Sequence, residues 1–282
     1  MDDTDLKKSH FNDIKKGERF EFGKNWKRFL SCLNEERISE AEKSLKSMIG
    51  MADFRGLSFL DIGSGSGLFS LAARRLGAKV HSFDYDPQAV ACTTELKNRY
   101  FEGDSDWIVE HASILDKNYT GKLSKFDIVY SWGVLHHTSN MMEALSNAGG
   151  LVSENGHLYI AIYNKQPFLS TYWLYVKKTY NAAPRLIKIL MEIFFSLFFV
   201  LRMLAADILR RENPLKRYRG MNKRGMNIFV DITDWIGGLP FETAAPEEIF
   251  KFYRDRGFSL KELVTCAGKH GCNEYVFKKN QN

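Results

Sequence analysis

Short apolar runs alternate with helical patterns through the middle of the chain. Five of these runs predict buried strands, at 57–63, 78–86, 107–113, 126–135 and 157–164. Helical spacing between the runs predicts helices at 68–76, 87–101 and 141–152. Alternation of this kind is typical of a parallel sheet with helices on both faces, and right-handed crossovers make it doubly wound.

The pattern changes on either side of this central region. Residues 1–18 are polar and are expected to be frayed, whereas 38–50 has a helical apolar stripe. Towards the other end, a helix is predicted at 246–258, followed by two strands at 258–268 and 273–279. A closing hairpin places one antiparallel strand in the sheet, so we expect seven strands, mostly parallel.

These breaks in pattern divide the chain into three parts. Residues 1–55 are predicted to form an N-terminal helical and aromatic cap. Residues 56–164 and 245–282 are predicted to form the α/β domain. Residues 165–244 interrupt that domain as a helical insertion.

Composition and charge narrow the function classes. The 282 residues carry a net charge of +6, a mild excess without any recognisable nucleic-acid module, so we predict no nucleic-acid partner. The four cysteines form no CxxC pair, so neither a disulfide framework nor a metal site is expected. The polar start lacks the apolar core of a secretory signal, and the reducing cytoplasm is the expected compartment.

A glycine-rich turn joins the first predicted strand to its helix, with the sequence Asp61-Ile62-Gly63-Ser64-Gly65-Ser66-Gly67. The dinucleotide fingerprint GxGxxG fails in both frames, because Leu68 and Ser70 stand where its last glycine is needed. The acidic Asp61 would repel a pyrophosphate and attract a cation. S-adenosylmethionine fits this demand, since it carries a sulfonium and an ammonium group and no phosphate.

A second acidic residue, Asp84, ends the second predicted strand about 20 residues further on. A carboxylate at this place can accept hydrogen bonds from ribose hydroxyls. Asp86 is an alternative, but it precedes Pro87 and is better suited to start the following helix.

Four segments together resemble the motifs of class I, Rossmann-like S-adenosylmethionine-dependent methyltransferases. The segments are FLDIGSGSG (59–67), FDYDP (83–87), HASILD (111–116) and FDIVYSWGVLHHT (126–138). The chain is most similar to the small-molecule methyltransferases of the ubiquinone-biosynthesis type, and the resemblance covers 57–164. It implies a methionine site at the glycine turn and at the end of the fourth strand, a ribose site at Asp84, and an adenine site after the third strand. The residues implied to bind the cofactor are Asp61, Gly63, Ser64, Gly65, Gly67, Asp84, Tyr85, Ser113, Ile114, Ser131 and Trp132.

The resemblance implies SN2 methyl transfer to a small organic acceptor, with O-methylation of a hydroxyl favoured. Alignment of the reactants is then the main task of the protein. His136 and His137 are each either a general base for the acceptor or a loop residue bonded to backbone, and His137 is the better candidate for the base. Two other functions stay open: a non-catalytic, membrane-associated cofactor-binding protein, and an NAD(P)-dependent oxidoreductase.

Several residues outside these motifs are candidate substrate contacts. Phe22 and Trp26 either form a structural clasp or close over the site, where aromatic faces would attract a sulfonium. Asp234 and Trp235 are expected in a wall of the substrate pocket, and His270 lies either in a structural turn or at a substrate lip.

A strongly apolar helix is predicted at 185–211 within the insertion. Lys188, Glu192, Arg202 and Asp207 interrupt it, so a membrane-spanning helix is not expected. Its polar residues share an arc of about 140°, and the rest of the wheel is apolar. This face would lie on a bilayer, form a lid over an apolar or lipid-linked acceptor, or pack on the domain or in a homodimer. Basic residues flank it: Lys177, Lys178, Arg210, Arg211, Lys216, Arg217 and Arg219.

Overall fold

A seven-stranded sheet organises the molecule in the computed structural model, which describes residues 3–210 and 228–281. Its strands are β1 (Ser58–Ile62), β2 (Lys79–Asp84), β3 (Trp107–His111), β4 (Phe126–Trp132), β5 (Val152–Tyr163), β6 (Phe258–Val264) and β7 (Cys272–Lys279). They run in the order β3-β2-β1-β4-β5-β7-β6. Strands β1 to β5 pair in parallel, and β7 pairs antiparallel with both β5 and β6. The predicted fold, a doubly wound α/β sheet with one antiparallel strand, is confirmed.

Helices cover both faces of this sheet because its central strands β1 and β4 are apolar and buried on both sides. One apolar cluster joins the sheet to α3 (Glu35–Ile49), α4 (Leu68–Arg75) and α5 (Pro87–Tyr100). The other joins it to α7 (Met141–Gly150) and to the helix Pro246–Arg254. The short α6 (Lys117–Thr120) and a 3-10 turn (Leu135–His137) follow β3 and β4. The carboxyl ends of β1 and β4 meet where the strand order reverses, which is where ligands bind in such sheets.

The first residues of the chain are helical, so the expectation that 1–18 is frayed was wrong for the described part. Helix α1 (Asp3–Lys15) has acidic residues in its first turn and a lysine in its last turn, which complements the helix dipole. Leu6 and His10, one helical turn apart, are its buried residues. The prediction missed α1 because so short an apolar stripe sits in a polar sequence. Helix α2 (Gly23–Ser31) follows.

The insertion is built from helices α8 (Leu169–Ala182), α9 (Arg185–Arg210) and α10 (Ile228–Gly237), after which α11 (Pro246–Arg254) returns to the sheet. Trp173, Tyr180, Phe195, Ile232 and Ile236 form the shared core of the three insertion helices. Among the described residues, α9 alone is long and apolar enough by composition to cross a membrane. Part of the insertion, with the predicted basic residues Arg211, Lys216, Arg217 and Arg219, lies outside the described residues.

Candidate active site

A cavity of about 1480 Å³ opens at the carboxyl ends of β1, β2 and β4. Single-ligand sites typically measure about 300–1,000 Å³, so this cavity has room for a cofactor and an acceptor together. Most of the predicted site residues line it: Phe22, Trp26, Asp61, Gly63, Ser64, Gly65, Asp84, Tyr85, Ser113, Ile114, Trp132, His137, Asp234 and Trp235.

The glycine turn forms the floor of the cavity in a conformation that side chains rarely adopt. Gly63 has φ 78°, and a Cβ there would lie 2.4 Å from Cγ1 of Val134. Gly65 has φ 56°, and its backbone N–H donates to Oδ2 of Asp84 at 2.9 Å. Glycine is therefore required at both positions, and the bare backbone lets a ligand approach closely.

Two carboxylates sit beside this turn with little water around them. Burial raises the pKa of Asp61 to about 7, although a 2.5 Å hydrogen bond from the Ser70 hydroxyl opposes the rise. Burial likewise raises the pKa of Asp84 to about 6, with the nearby charge of Asp86 adding to the effect. A cationic ligand would relieve both carboxylates, because an opposite charge favours the ionised form. The residues therefore fit the sulfonium and ammonium groups of S-adenosylmethionine.

The predicted adenine and ribose neighbours also reach the cavity. Ile114 is nearly fully buried, and its carbonyl accepts from the Asn147 amide at 2.9 Å, which fixes the loop after β3. The Ser113 hydroxyl accepts from the backbone N–H of Leu115 at 3.2 Å. The phenol of Tyr85 donates instead to the Ser9 hydroxyl of α1 at 3.0 Å, so its polar atom is engaged by the N-terminal segment.

Four predicted site residues do not line the cavity. Gly67 precedes α4 and packs against Thr93, so close that a Cβ would lie 2.9 Å from the Thr93 Cα. Ser131 is fully buried and donates to the Ile62 carbonyl at 2.9 Å, which joins β4 to β1. The structure thus gives both residues structural positions in place of the predicted contacts with the cofactor.

The other two predicted site residues that do not line the cavity are His136 and His270. His136 is fully buried against the Tyr163 ring, with centroids 4.0 Å apart, and burial holds its pKa well below the ordinary value. His270 packs edge-on against Trp173 at 5.6 Å and against Trp235 at 5.4 Å, behind the cavity wall. Neither ring is placed to touch an acceptor, because neither reaches the cavity.

His137 combines a backbone bond with a place in the cavity wall. Its Nδ1 lies 2.5 Å from the carbonyl oxygen of Pro240. A carbonyl can only accept, so Nδ1 carries the proton and Nε2 keeps its lone pair. Burial lowers the pKa of His137 to about 3, and the ring is therefore neutral. It can accept a hydrogen bond from an acceptor hydroxyl, but it is too weak a base to take the proton readily.

Phe22 and Trp235 lie in the aromatic surroundings of His137 and Tyr163, whereas Trp26 lies against the glycine turn, 3.1 Å from the position of a Cβ at Gly65. The Phe22 ring centroid lies 5.0 Å from that of His137, and the Trp235 centroid lies 5.4 Å from that of Tyr163. The amide of Asn25 donates to Asp234, which ties α2 to α10 across the cavity. These contacts build an aromatic wall around His137.

The N-terminal segment forms a strap over the cavity, which we define as residues 3–31, and its contacts were not predicted. The guanidinium of Arg19 lies 4.7 Å from the Tyr85 ring centroid and donates to the His137 carbonyl at 3.2 Å. Asp86 caps α5, as predicted, and also accepts from the Gly23 N–H at 2.8 Å. The sequence predicts only the helix cap for Asp86, and nothing in it indicates the hydrogen bond from the Gly23 N–H to Asp86.

His10 and Tyr130 also line the cavity without having been predicted. Both ring nitrogens of His10 and the hydroxyl of Tyr130 lack a hydrogen-bond partner in the described part of the chain. Burial lowers the pKa of His10 and raises that of Tyr130. Both are polar side chains on otherwise apolar stripes, which is the one sequence signal that could have pointed to them.

Known proteins share parts of this sequence. A family model described as methyltransferase domain matches residues 28–225. Ubiquinone biosynthesis O-methyltransferase of Cereibacter sphaeroides is 25% identical over 138 residues, which cover 49% of this chain and 53% of the relative. Ribosomal protein L11 methyltransferase of Methylococcus capsulatus is 42% identical over 66 residues, covering 23% and 22%. The chain thus spans about a fifth to a half of the length of these relatives.

Solved structures agree with the fold. Magnesium protoporphyrin IX methyltransferase from Synechocystis, with bound S-adenosylhomocysteine, has a TM-score of 0.54 at 14% identity and covers 91% of this chain and 94% of its own. An O-methyltransferase family protein from Burkholderia thailandensis has a TM-score of 0.53 at 13% identity, covering 87% and 57%. Because the family model covers well over half of the chain, this protein belongs to the methyltransferase domain family, on the Rossmann-like fold of class I S-adenosylmethionine-dependent methyltransferases.

Proposed function

We propose that this protein transfers the methyl group of S-adenosylmethionine to a small organic acceptor, and that a hydroxyl oxygen of the acceptor is methylated. The observation that carries the proposal is a pair of carboxylates, the buried Asp61 and the half-buried Asp84, beside a glycine turn that leaves its backbone open. A desolvated acidic site of this kind favours a cationic cofactor over a nucleotide with phosphates.

Different residues of the chain would bind the two parts of the cofactor. Asp61 and the backbone of Gly63 and Gly65 would hold the methionine part, and Asp84 would hold the ribose. When bound, S-adenosylmethionine supplies an electrophilic methyl group on its sulfonium. Residues of α1 and α2 in the strap line the cavity and would limit the access of water to the reacting groups. Exclusion of water and correct alignment are the contributions that methyl transfer needs most from a protein.

The acceptor is proposed to be apolar or lipid-linked. The aromatic wall around His137 includes Phe22, Tyr163 and Trp235, which would stack against a ring or an apolar chain. Nε2 of His137 would accept a hydrogen bond from the reacting hydroxyl and orient one of its lone pairs towards the methyl carbon. The similarity to ubiquinone biosynthesis O-methyltransferase, 25% identical over 138 residues, supports an acceptor of this class.

Calorimetric titration with S-adenosylmethionine and S-adenosylhomocysteine tests the proposal. The wild type is expected to bind both, and Asp84→Ala to weaken binding by about 1–3 kcal/mol through the lost charged hydrogen bond. Asp255→Ala is the matched control, since that carboxylate is exposed and pairs with Arg254 at 2.8 Å. No binding to folded wild type would overturn the proposal, and binding of NADH in its place would favour the oxidoreductase.

A methyl-transfer assay separates the enzyme from a non-catalytic binding protein. Tritium from labelled cofactor is expected in an organic extract when phenolic, apolar acceptors are supplied. Tight cofactor binding without transfer to any of a broad set of acceptors would favour the non-catalytic alternative. The cytoplasmic location stays a prediction, to which the four free cysteines lend support.

A further inference from the structure

Helix α9 is oriented with its apolar face outward. Its 26 residues make it about 39 Å long, and the large side chains that point away from the protein cover an arc of about 200°. We name this arc the α9 outer face. It consists of Leu186, Ile187, Ile189, Leu190, Ile193, Phe194, Leu197, Phe198, Leu201, Leu204, Ile208 and Leu209, each between 39% and 85% exposed.

The polar side of the same helix is turned towards the protein. Glu192 accepts a hydrogen bond from the Tyr180 hydroxyl of α8, and Asp207 is 2% exposed. Phe195 packs on the Trp173 ring, with centroids 5.6 Å apart. An amphipathic helix on a soluble protein normally does the opposite, burying its apolar stripe and exposing its polar residues. The arrangement is expected where the medium facing the helix is itself apolar.

The exposed charges that α8 and α9 carry are of one sign. Helices α8 and α9 are described throughout, and their exposed charged side chains are all basic: Lys178, Arg185, Arg202 and Arg210. Along the helix, the outer face has no charged residue from Leu186 to Leu201. Lys177, predicted as another flanking cation, is instead fully buried. Cations at the ends of an apolar face complement anionic headgroups around a lipid interior.

Aromatic residues continue the surface on α8. Tyr172 is 51% exposed and Tyr175 is 67% exposed, while Phe168, just before the helix, is 91% exposed. Tyrosine is favoured at the boundary of a bilayer, where its ring sits among headgroups and its hydroxyl stays in water.

We propose that the α9 outer face, with the adjoining edge of α8, lies in the surface of an anionic lipid bilayer, with α9 parallel to the membrane plane. A spanning orientation is disfavoured, because the inward side of α9 is bonded to α8 through Glu192 and Phe195. A second copy of the chain is disfavoured as the occupant, because two-fold pairing brings the same cations together. The proposal does not depend on the methyl-transfer reaction.

Vesicle flotation with the full chain tests this surface. The probes are vesicles of phosphatidylcholine alone and of equal parts phosphatidylcholine and phosphatidylglycerol. The wild type is expected to float with the anionic vesicles and to bind them on the order of tenfold more tightly than the neutral ones. High salt should remove this preference while leaving the apolar part of the binding.

A triple variant and a matched control identify the surface. Phe194→Gln/Leu197→Gln/Leu201→Gln is expected to lower the vesicle partition coefficient by on the order of tenfold or more. The control, Ile108→Gln/Met142→Gln/Leu263→Gln, changes exposed apolar residues elsewhere (42–49% exposed, against 58–63% in the α9 triple variant) and is expected to bind like wild type. Arg185→Gln/Arg202→Gln should reduce only the preference for anionic vesicles. Circular dichroism establishes that each variant folds.

Three outcomes would overturn the proposal. The first is wild type that ignores both vesicle types at low salt. The second is a loss of binding in the control as large as that in the α9 triple variant. The third, read by light scattering, is a wild-type dimer without lipid affinity that the triple variant converts to a monomer. That last result would assign the α9 outer face to a second copy. Cofactor titration by calorimetry is unaffected by any of them.

Discussion

Two single residues, Asp61 and Asp84, determine how the proposed cofactor site responds to pH. Asp61 is buried and Asp84 half-buried beside the glycine turn, and loss of solvent raises the pKa of each towards neutrality. Asp61 attracts the ammonium group only when it is ionised, and Asp84 accepts from the ribose hydroxyls more strongly as a carboxylate than as a protonated acid, so protonation of either group opposes cofactor binding.

The competition predicts how cofactor affinity depends on pH. The pKa values of about 7 and about 6 mean that lowering the pH from 8 to 5.5 protonates both groups, and affinity for S-adenosylmethionine should fall on the order of tenfold or more. Titration calorimetry across this range measures the effect. In Asp61→Asn, binding should be weaker at pH 8 and less sensitive to pH. A profile identical to that of wild type would contradict the assigned role.

The same variant should be more stable than wild type without cofactor. The pKa of Asp61 rises from 3.8 to about 7 on folding, so stability declines as the pH rises between these two values and the loss is complete above about pH 7. Removing the charge removes that penalty, which at pH 8 is on the order of 1 kcal/mol or more. A loss of stability in Asp61→Asn would contradict this prediction, and would mean that the hydrogen bond from Ser70 to the Asp61 carboxylate outweighs the cost of burying the charge.

The pKa of Lys177 is shifted in the opposite direction from that of Asp61, so its effect on the pH dependence of stability has the opposite sign. Burial lowers its pKa to about 7 from the ordinary 10.5, even though Asp234 opposes the shift. Between those values the unfolded chain binds the proton and the folded chain does not, so stability rises with pH by up to about 1.4 kcal/mol per unit. Urea unfolding at pH 7, 8 and 9 should show a flatter dependence for Lys177→Met. Lys178→Met changes the exposed neighbour and should keep the wild-type slope.

At the scale of elements, the turn between β1 and α4 depends on a close approach to the loop after β4. A Cβ at Gly63 would lie 2.4 Å from Val134, and the residue has φ 78°. Gly63→Ala is expected to destabilise the protein by about 1–3 kcal/mol through backbone strain alone, and further through the contact. It should also abolish cofactor binding, because Val134 and the turn must separate.

Gly56→Ala is the control for this substitution. Gly56 has a similar φ of 79°, but no atom lies within 4 Å of its Cβ position. The difference between the two variants in chemical denaturation therefore measures the contact with Val134. Equal losses would mean that backbone strain accounts for the whole effect.

The strands and the turn with its two acidic residues follow from local signals: apolar runs, glycine spacing and the place of an acid after a strand. The sequence predicts an N-terminal cap but not the contacts of the strap or the surroundings of His137. Those contacts join residues that are far apart in sequence, such as Arg19 with the His137 carbonyl and Gly23 with Asp86. The wheel of α9 predicted an apolar face, and only tertiary packing shows which way it points.

At the scale of the whole molecule, charges of opposite sign are separated. The chain has a net charge of +6, yet carboxylates outnumber cations around the cavity. The exposed cations of α8 and α9 flank the apolar surface instead. The two regions are connected through side chains, since the Trp173 ring of α8 packs on Trp235 of the cavity wall at 5.4 Å.

The outward direction of the α9 face has a kinetic consequence. A protein held by it would meet a bilayer-dissolved acceptor as a two-dimensional solute, at a local concentration far above the bulk value. Turnover would then follow the mole fraction of acceptor in the lipid, and adding inert lipid at constant acceptor would slow it by dilution within the surface. The amount of membrane, as well as the amount of acceptor, would set the rate.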